Sequence, residues 1–320
     1  MKFLSKNWFL VGIVVALILS TLIPQVGVAL AQMKVRTVAI LLIFLMSGCT
    51  VSLGRMGRDL SRWQAHTTVF VFVYVLAPAL FYFTSGWLGT GPLREGAFLL
   101  AVLPTTISSC VVYTLASGGR VSTALLNAVG LNLLGLFLSP FLLSVFIGAN
   151  EGIDWHLAGR SILNLTWLAL LPFVVGQVAA RMSDEVSVKV KRVQSKLAQL
   201  CVLMIVFTAF SESSAEVLEG LRAMGFAVLY FVAGHLVLVA LAMAAVRVIR
   251  FRPDEATAVV FCSTQKTLVL GIPLAYSYFD HSKVALVLVP VLIYHLFMLS
   301  FGGLLVAYWS KKNAAARGGG

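Results

Sequence analysis

Charge is what this chain has least of. Only 11% of its 320 residues are Asp, Glu, Lys or Arg, while 60% are hydrophobic. That balance is far from a soluble globular composition and leaves no room for a sizeable soluble domain. Cysteine is scarce as well. Cys49, Cys110, Cys201 and Cys262 each lie in an apolar run without CxxC spacing, so neither a disulfide framework nor a zinc site is indicated. There is no Walker A glycine loop, no HExxH helix, no GxSxG elbow and no paired acidic motif inside an apolar run. ATP-driven pumping and the common hydrolytic chemistries therefore lack their signatures, and no enzyme is expected. The net charge of +12 would suggest nucleic acid in a soluble protein. Here the basic residues sit in short loops between apolar runs, so membrane topology explains them and no nucleic-acid partner is expected.

What is abundant is apolar length. Runs of about 20 residues suffice to cross a bilayer. Ten can be placed, at approximately 8–24, 35–54, 66–86, 96–117, 122–147, 157–180, 195–212, 223–247, 256–279 and 284–308. The fold class is an all-α polytopic membrane protein, with the lipid bilayer as its first partner. Lys2, Lys6, the first run and Ala29-Leu30-Ala31 imitate a signal peptide. The run is long for one, and it is read as a span. The longest connector, Arg181–Lys196, lies between the sixth and seventh runs, and the ten runs divide into two sets of five, residues 1–150 and 151–310. Residues 311–320 are expected to form a disordered cytoplasmic tail.

Basic residues set the orientation. With a cytoplasmic N-terminus, seventeen fall inside, among them Lys2, Lys6, Arg55, Arg58, Arg62 and the cluster Arg181 to Lys196. Six fall outside, namely Lys34, Arg36, Arg94, Arg160, Arg222 and Lys283. This asymmetry predicts both termini in the cytoplasm, and for a bacterial chain a place in the inner membrane. Five spans per half would also make homologous halves inverted repeats, a recurrent transporter plan with its site near the midplane.

Spans four and nine hold the same place in their halves, and both are interrupted. Span four carries Pro104 followed by Thr105, Thr106, Ser108 and Ser109. Span nine turns polar at Ser263-Thr264-Gln265-Lys266-Thr267, then runs through Gly271 and Pro273. Backbone groups freed at such breaks need partners in lipid. Lys266 lies roughly 15 Å from either surface. Left uncompensated, it costs about 2.5–3.5 kcal/mol on insertion scales. No carboxylate falls at its depth. Its partners are then carbonyls, hydroxyls, water or a bound anion, and both a structural and a functional lysine fit. Asn127 and Asn132 in span five share a helix face and serve either as glue between helices or in a site. His235 and His295, central in spans eight and ten, suit a proton relay or a packed core.

The stretch Phe261-Cys-Ser-Thr-Gln-Lys-Thr-Leu-Val-Leu-Gly-Ile-Pro273, with span four, Gly118-Gly119 and Asn127, resembles the bile acid:sodium symporter superfamily. That is solute carrier family 10 with its bacterial relatives, and the similarity is greatest to the divergent "member 7" branch. The resemblance implies ten helices in two inverted repeats. Spans one, two, six and seven would form a panel, and spans three to five and eight to ten a core where helices four and nine cross. It also implies a small organic anion as substrate and sodium as coupling ion. Several typical sodium-ligand positions differ here. Phe261 stands for an acidic residue, Lys266 for an asparagine, Cys110 for an asparagine and Val73 for a glutamine, while Gln265 and Ser109 are kept. A fixed ammonium repels sodium, so the substitutions argue against two-sodium coupling.

Two functions follow from the resemblance. One is a secondary active transporter with a substrate and ion site at Thr105, Thr106, Ser108, Ser109, Asn127, Ser263, Thr264, Gln265, Lys266 and Thr267. In it Lys266 replaces a cation or pairs with the anion, and a midplane cavity is expected beside Thr105, Thr106, Ser109, Asn127, Gln265 and Lys266. The other is a non-transporting membrane regulator with the same fold, acting on calcium homeostasis or glycan assembly. No resident cofactor is expected beyond sodium itself.

Overall fold

The computed structural model describes residues 8–50, 61–148, 154–212 and 224–318. Lys2, Lys6, Arg55, Arg58 and Arg222, part of the charge asymmetry, lie outside the described residues. Among the described residues the regular structure is helical throughout, with no strand. Each of the ten apolar runs holds helix. They are α1 (Trp8–Leu22) with α2 (Pro24–Gln32), α3 (Val35–Thr50), α4 (Trp63–Leu88), α5 (Pro92–Val102) with α6 (Ser108–Ala116), and α7 (Val121–Gly148). Then come α8 (Trp155–Met182), α9 (Asp184–Glu212), α10 (Met224–Val248), α11 (Pro253–Thr264) with α12 (Leu268–Tyr278), and α13 (Val284–Gly318). Seven of these spans are long and apolar enough to cross a membrane, or eight if the bent pair α1–α2 is one crossing. The α11–α12 span is the most enclosed, with 94% of its apolar window buried against 28–61% for the others.

Four expectations need correction. The first span does not run straight to residue 24, because the chain bends by 99° between α1 and α2. Ile23 precedes a proline, which disfavours helical geometry, and it sits at φ −133° and ψ 56°. The connector Arg181–Lys196 is mostly helical, since α9 begins at Asp184. The tail is not disordered from residue 311, because α13 continues to Gly318. There Asn313 is buried and donates to Ser117 O at 2.8 Å and Thr257 Oγ1 at 3.0 Å, which anchors the extension. Lastly, Pro273 lies inside α12. The interruption of span nine is upstream of it, at residues 265–267.

Proline shapes the longer helices too. A π turn at Phe72–Leu76 precedes Pro78 in α4, and another at Thr166–Leu170 precedes Pro172 in α8. A proline lacks the N–H that would keep α register, and the wider turn absorbs the loss.

The chain divides into two compact units. One takes Met1–Val51, His156–Met224 and Ile272–Leu288, the other Ser52–Trp155, Gly225–Gly271 and Val289–Gly320. The first therefore holds α1–α3, most of α8, and α9. It also takes the far end of α12, which the panel-and-core expectation put in the core. A local cause is visible. Arg36 of α3 pairs with Glu212 of α9, and its guanidinium lies 4.0 Å from the Tyr276 ring centre. The Tyr276 hydroxyl donates to Glu212 at 3.0 Å. These contacts tie α12 to the first unit.

In that same unit α3 and α8 meet backbone to backbone. A Cβ on Gly176 would stand 2.2 Å from Leu45 O and 2.8 Å from Cys49 N, and one on Gly48 would stand 2.1 Å from Phe173 O. Small residues allow this approach, which suits membrane helices that gain little from hydrophobic exclusion of one another. Gln177 Nε2 then reaches Gly48 O at 2.7 Å. Because the obstructing atoms are backbone, no rotamer change relieves a substitution. Gly176→Ala should destabilise the protein by about 1–3 kcal/mol, read as a lowered Tm in detergent. Gly159→Ala, in the same helix with nothing within 4 Å, should leave Tm unchanged or raised.

Candidate functional site

Two interrupted helices meet in the second unit. Helix α5 stops at Val102, and the chain runs non-helically through 103–107 before α6. Helix α11 stops at Thr264, and residues 265–267 are non-helical before α12. Thr267 N–H donates to Pro104 O at 2.8 Å, joining the two breaks directly. Gly271 allows a close approach nearby, since a Cβ there would meet Leu103 Cδ1 at 2.9 Å.

Each break frees carbonyls that an uninterrupted helix would satisfy. At the first, Leu100 O accepts from Leu103 N–H and Val102 O from Ser139 Oγ at 2.7 Å. Thr105 O accepts from Asn132 Nδ2 at 2.7 Å. At the second, Thr264 O accepts from the Tyr294 hydroxyl at 2.6 Å, and the His295 ring approaches Lys266 O with Nδ1 at 3.3 Å. Lys266 N–H points at Met298 Sδ, 3.3 Å away. Thus α7 and α13 supply the side chains that hold the breaks open. The ring of the buried His235 packs on Tyr294, Phe297 and Phe301.

Lys266 closes the remaining positions. It is fully buried, and its Nζ donates to Leu103 O at 2.8 Å, Ala101 O at 3.0 Å and Val73 O at 3.2 Å. Ala101 O and Leu103 O belong to the end of α5, where the helix dipole is negative and the helical donors are gone. Val73 O lies in the π turn of α4. Ala77 N–H donates there to Phe72 O. The next donor in that register is residue 78, a proline with no N–H. Three acceptors therefore match the three N–H bonds of one ammonium. In this structure those three carbonyls take all three N–H bonds of Lys266.

Beside it lies a polar cluster. Gln265 Oε1 accepts from Ser109 Oγ at 2.5 Å, Thr106 Oγ1 at 2.9 Å and Cys110 Sγ at 3.3 Å. The Thr106 and Ser109 hydroxyls also touch each other, and Thr105 Oγ1 meets Cys110 Sγ at 2.9 Å. Ser109 is half-buried and Ser108 exposed at the start of α6.

Of the remaining expected residues, Asn127, Thr264 and Thr267 use their side chains in other contacts. Asn127 bonds His66 at 3.1 Å and Thr123 O at 2.9 Å. Thr264 Oγ1 bonds Val260 O in its own helix, and Thr267 Oγ1 accepts from Val269 N–H at 3.3 Å. The Ser263 hydroxyl is buried and has no hydrogen-bond partner among the described residues. The expected cavity-lining set is thus largely enclosed. Thr105, Thr106, Asn127, Gln265 and Lys266 are buried, and Ser109 alone of the six is partly exposed. Apart from Asn127, their polar groups satisfy broken backbone and one another.

Sequence reasoning missed Ser139, Tyr294 and Met298. A hydroxyl just before Pro140, and a polar pair Tyr294-His295 at the middle of an apolar run, were the available signals. Among the described residues no group of three or more His, Cys, Asp or Glu is placed to hold a metal.

The chain is similar to known proteins along most of its length. The chain is 28% identical over 315 residues to sodium/bile acid cotransporter 7 of Mus musculus, covering 94% of this chain and 92% of that protein. It is 27% identical over 317 residues to sodium/bile acid cotransporter 7-A of Xenopus laevis, covering 95% and 91%. It is 29% identical over 322 residues to the Pseudomonas aeruginosa protein named "Uncharacterized protein PA2026", covering 98% and 95%. The family description that matches, over residues 7–311, is that of the SBF-like CPA transporters, and this multi-pass membrane protein belongs to that transporter family.

Proposed function

We propose that this protein is a secondary active transporter of a small organic anion, working by alternating access, in which Lys266 stands permanently where a coupling cation would bind. The single observation that carries this reading is the three-carbonyl cradle around Lys266 Nζ at the meeting of two helix breaks. Backbone carbonyl oxygens gathered around a buried positive charge are the ligand type that a hard cation also takes, at shorter distances. Interrupted helices at membrane depth are the recurrent substrate and ion sites of transporters.

The finer architecture is part of the same proposal. The ten helical runs form two inverted repeats, residues 1–150 and 151–310, with both termini cytoplasmic and the chain in the cell membrane. A panel of α1–α3, α8 and α9 is supported by the grouping of those helices in one compact unit, and a core of α4–α7, α10, α11 and α13 by their grouping in the other. The substrate is an anion by two lines of support. The relatives' names carry bile acid, and the positive end of α6 presents Ser108 and Ser109. Thr106, Ser109 and Gln265 are assigned to positioning, and Lys266 to charge.

Two outcomes test this. In proteoliposomes, uptake of a transported organic anion by the wild-type protein should be equal in sodium and choline media. A strict sodium requirement would remove Lys266 from the cation's place, and no flux of any anion under any gradient would favour the regulator. Lys266→Met should abolish uptake and lower Tm clearly, because three buried carbonyls lose their donor at about 1–3 kcal/mol each. An unchanged Tm would show that the cradle is not what holds the breaks.

A further inference from the structure

Helix α9 carries an apolar seam that transport does not use. Val186, Val190, Val193, Leu197, Leu200 and Met204 follow one another at alternating steps of four and three residues. That is the a/d spacing of a coiled coil. No residue from Glu185 to Leu200 is buried, and on the seam Val193 is 52% and Leu200 49% exposed. Lipid can cover the end of the seam from Leu197 to Met204. It cannot cover the three valines. Glu185, Lys189, Lys191, Arg192 and Lys196 share their stretch of helix and keep it out of the hydrocarbon. A continuous row of aliphatic side chains in water marks a surface with a partner.

We propose that this seam pairs with the same seam of a second copy, as a short parallel two-helix coiled coil at the membrane surface. The flanking charges select both the partner and its direction. With Val186, Val193 and Leu200 at d and Val190, Leu197 and Met204 at a, the g positions are Lys189 and Lys196, and the e positions include Ser187 and Gln194. Parallel pairing sets each Lys189 against Gln194 of the second copy, with no like charges facing. Antiparallel pairing sets lysine against lysine, which is repulsive. Two copies in one bilayer with one topology present α9 in parallel, the direction the charges permit. About two and a half heptads would be too few for free peptides. Here the helix is already folded, anchored by packing from Cys201 onward, and confinement to the bilayer raises the effective concentration.

The test uses the full-length protein in native membranes. Val193→Cys places a thiol on the seam, and Ser195→Cys places one on the opposite face. The native cysteines are all buried, so the wild type serves as background. Under mild copper–phenanthroline oxidation, Val193→Cys should run at twice the chain mass on a non-reducing gel, several-fold more than Ser195→Cys. In light scattering of purified protein, the double variant Val186→Lys, Val193→Lys should be monomeric where the wild type is dimeric. Equal cross-linking at both positions, a monomeric wild type, or Val193→Cys trapping only a protein of different mass would each overturn the proposal.

Discussion

One buried lysine bridges the meeting of two helix breaks in the second unit. Two helices stop within the span of a membrane, and each leaves carbonyls where no water is available to satisfy them. A third helix loses a donor at Pro78. Lys266 Nζ reaches Leu103 O, Ala101 O and Val73 O at 2.8–3.2 Å, so three separate faults share one remedy. The cost of burying a charge and the cost of leaving carbonyls unpaired are each several kcal/mol in isolation. Together they offset one another. This explains how a lysine persists with no carboxylate at its depth.

The same contact organises what surrounds it. Thr267 N–H bonds Pro104 O and locks the two breaks in register, which brings Gln265 onto Thr106 and Ser109. Helix α13 follows, because Tyr294, His295 and Met298 reach the second break from one face. A lysine in this place is tethered to the chain and cannot dissociate as a bound ion can.

Much of this was legible in the sequence. Ten apolar runs gave ten helical stretches because bilayer length and hydropathy constrain composition strongly. The pairing of spans four and nine followed from polar clusters at matched positions, and Lys266 stood out because charge at that depth is costly. Other features were not legible, for physical reasons. Val73 contributes a carbonyl, and backbone acceptors carry no residue signature. The break in span nine sits at Gln265–Thr267 rather than at Pro273, because a proline in the second turn of α12 is accommodated while carbonyl demand at Lys266 is not. The bend at Ile23–Pro24 and the helical connector beginning at Asp184 depend on local geometry that hydropathy does not encode. Asn127 joins the expected site through its helix face and the family resemblance, but His66 holds it elsewhere.

The central claim is that Lys266 occupies a cation's place, and its most direct test is to vacate that place. Lys266→Ala, purified and compared in sodium and choline chloride at equal ionic strength, should gain thermal stability specifically in sodium, while the wild type shows no difference. A variant equally stable in both salts would contradict the account, because the carbonyl cradle would then have no affinity for the ion that the lysine is said to replace.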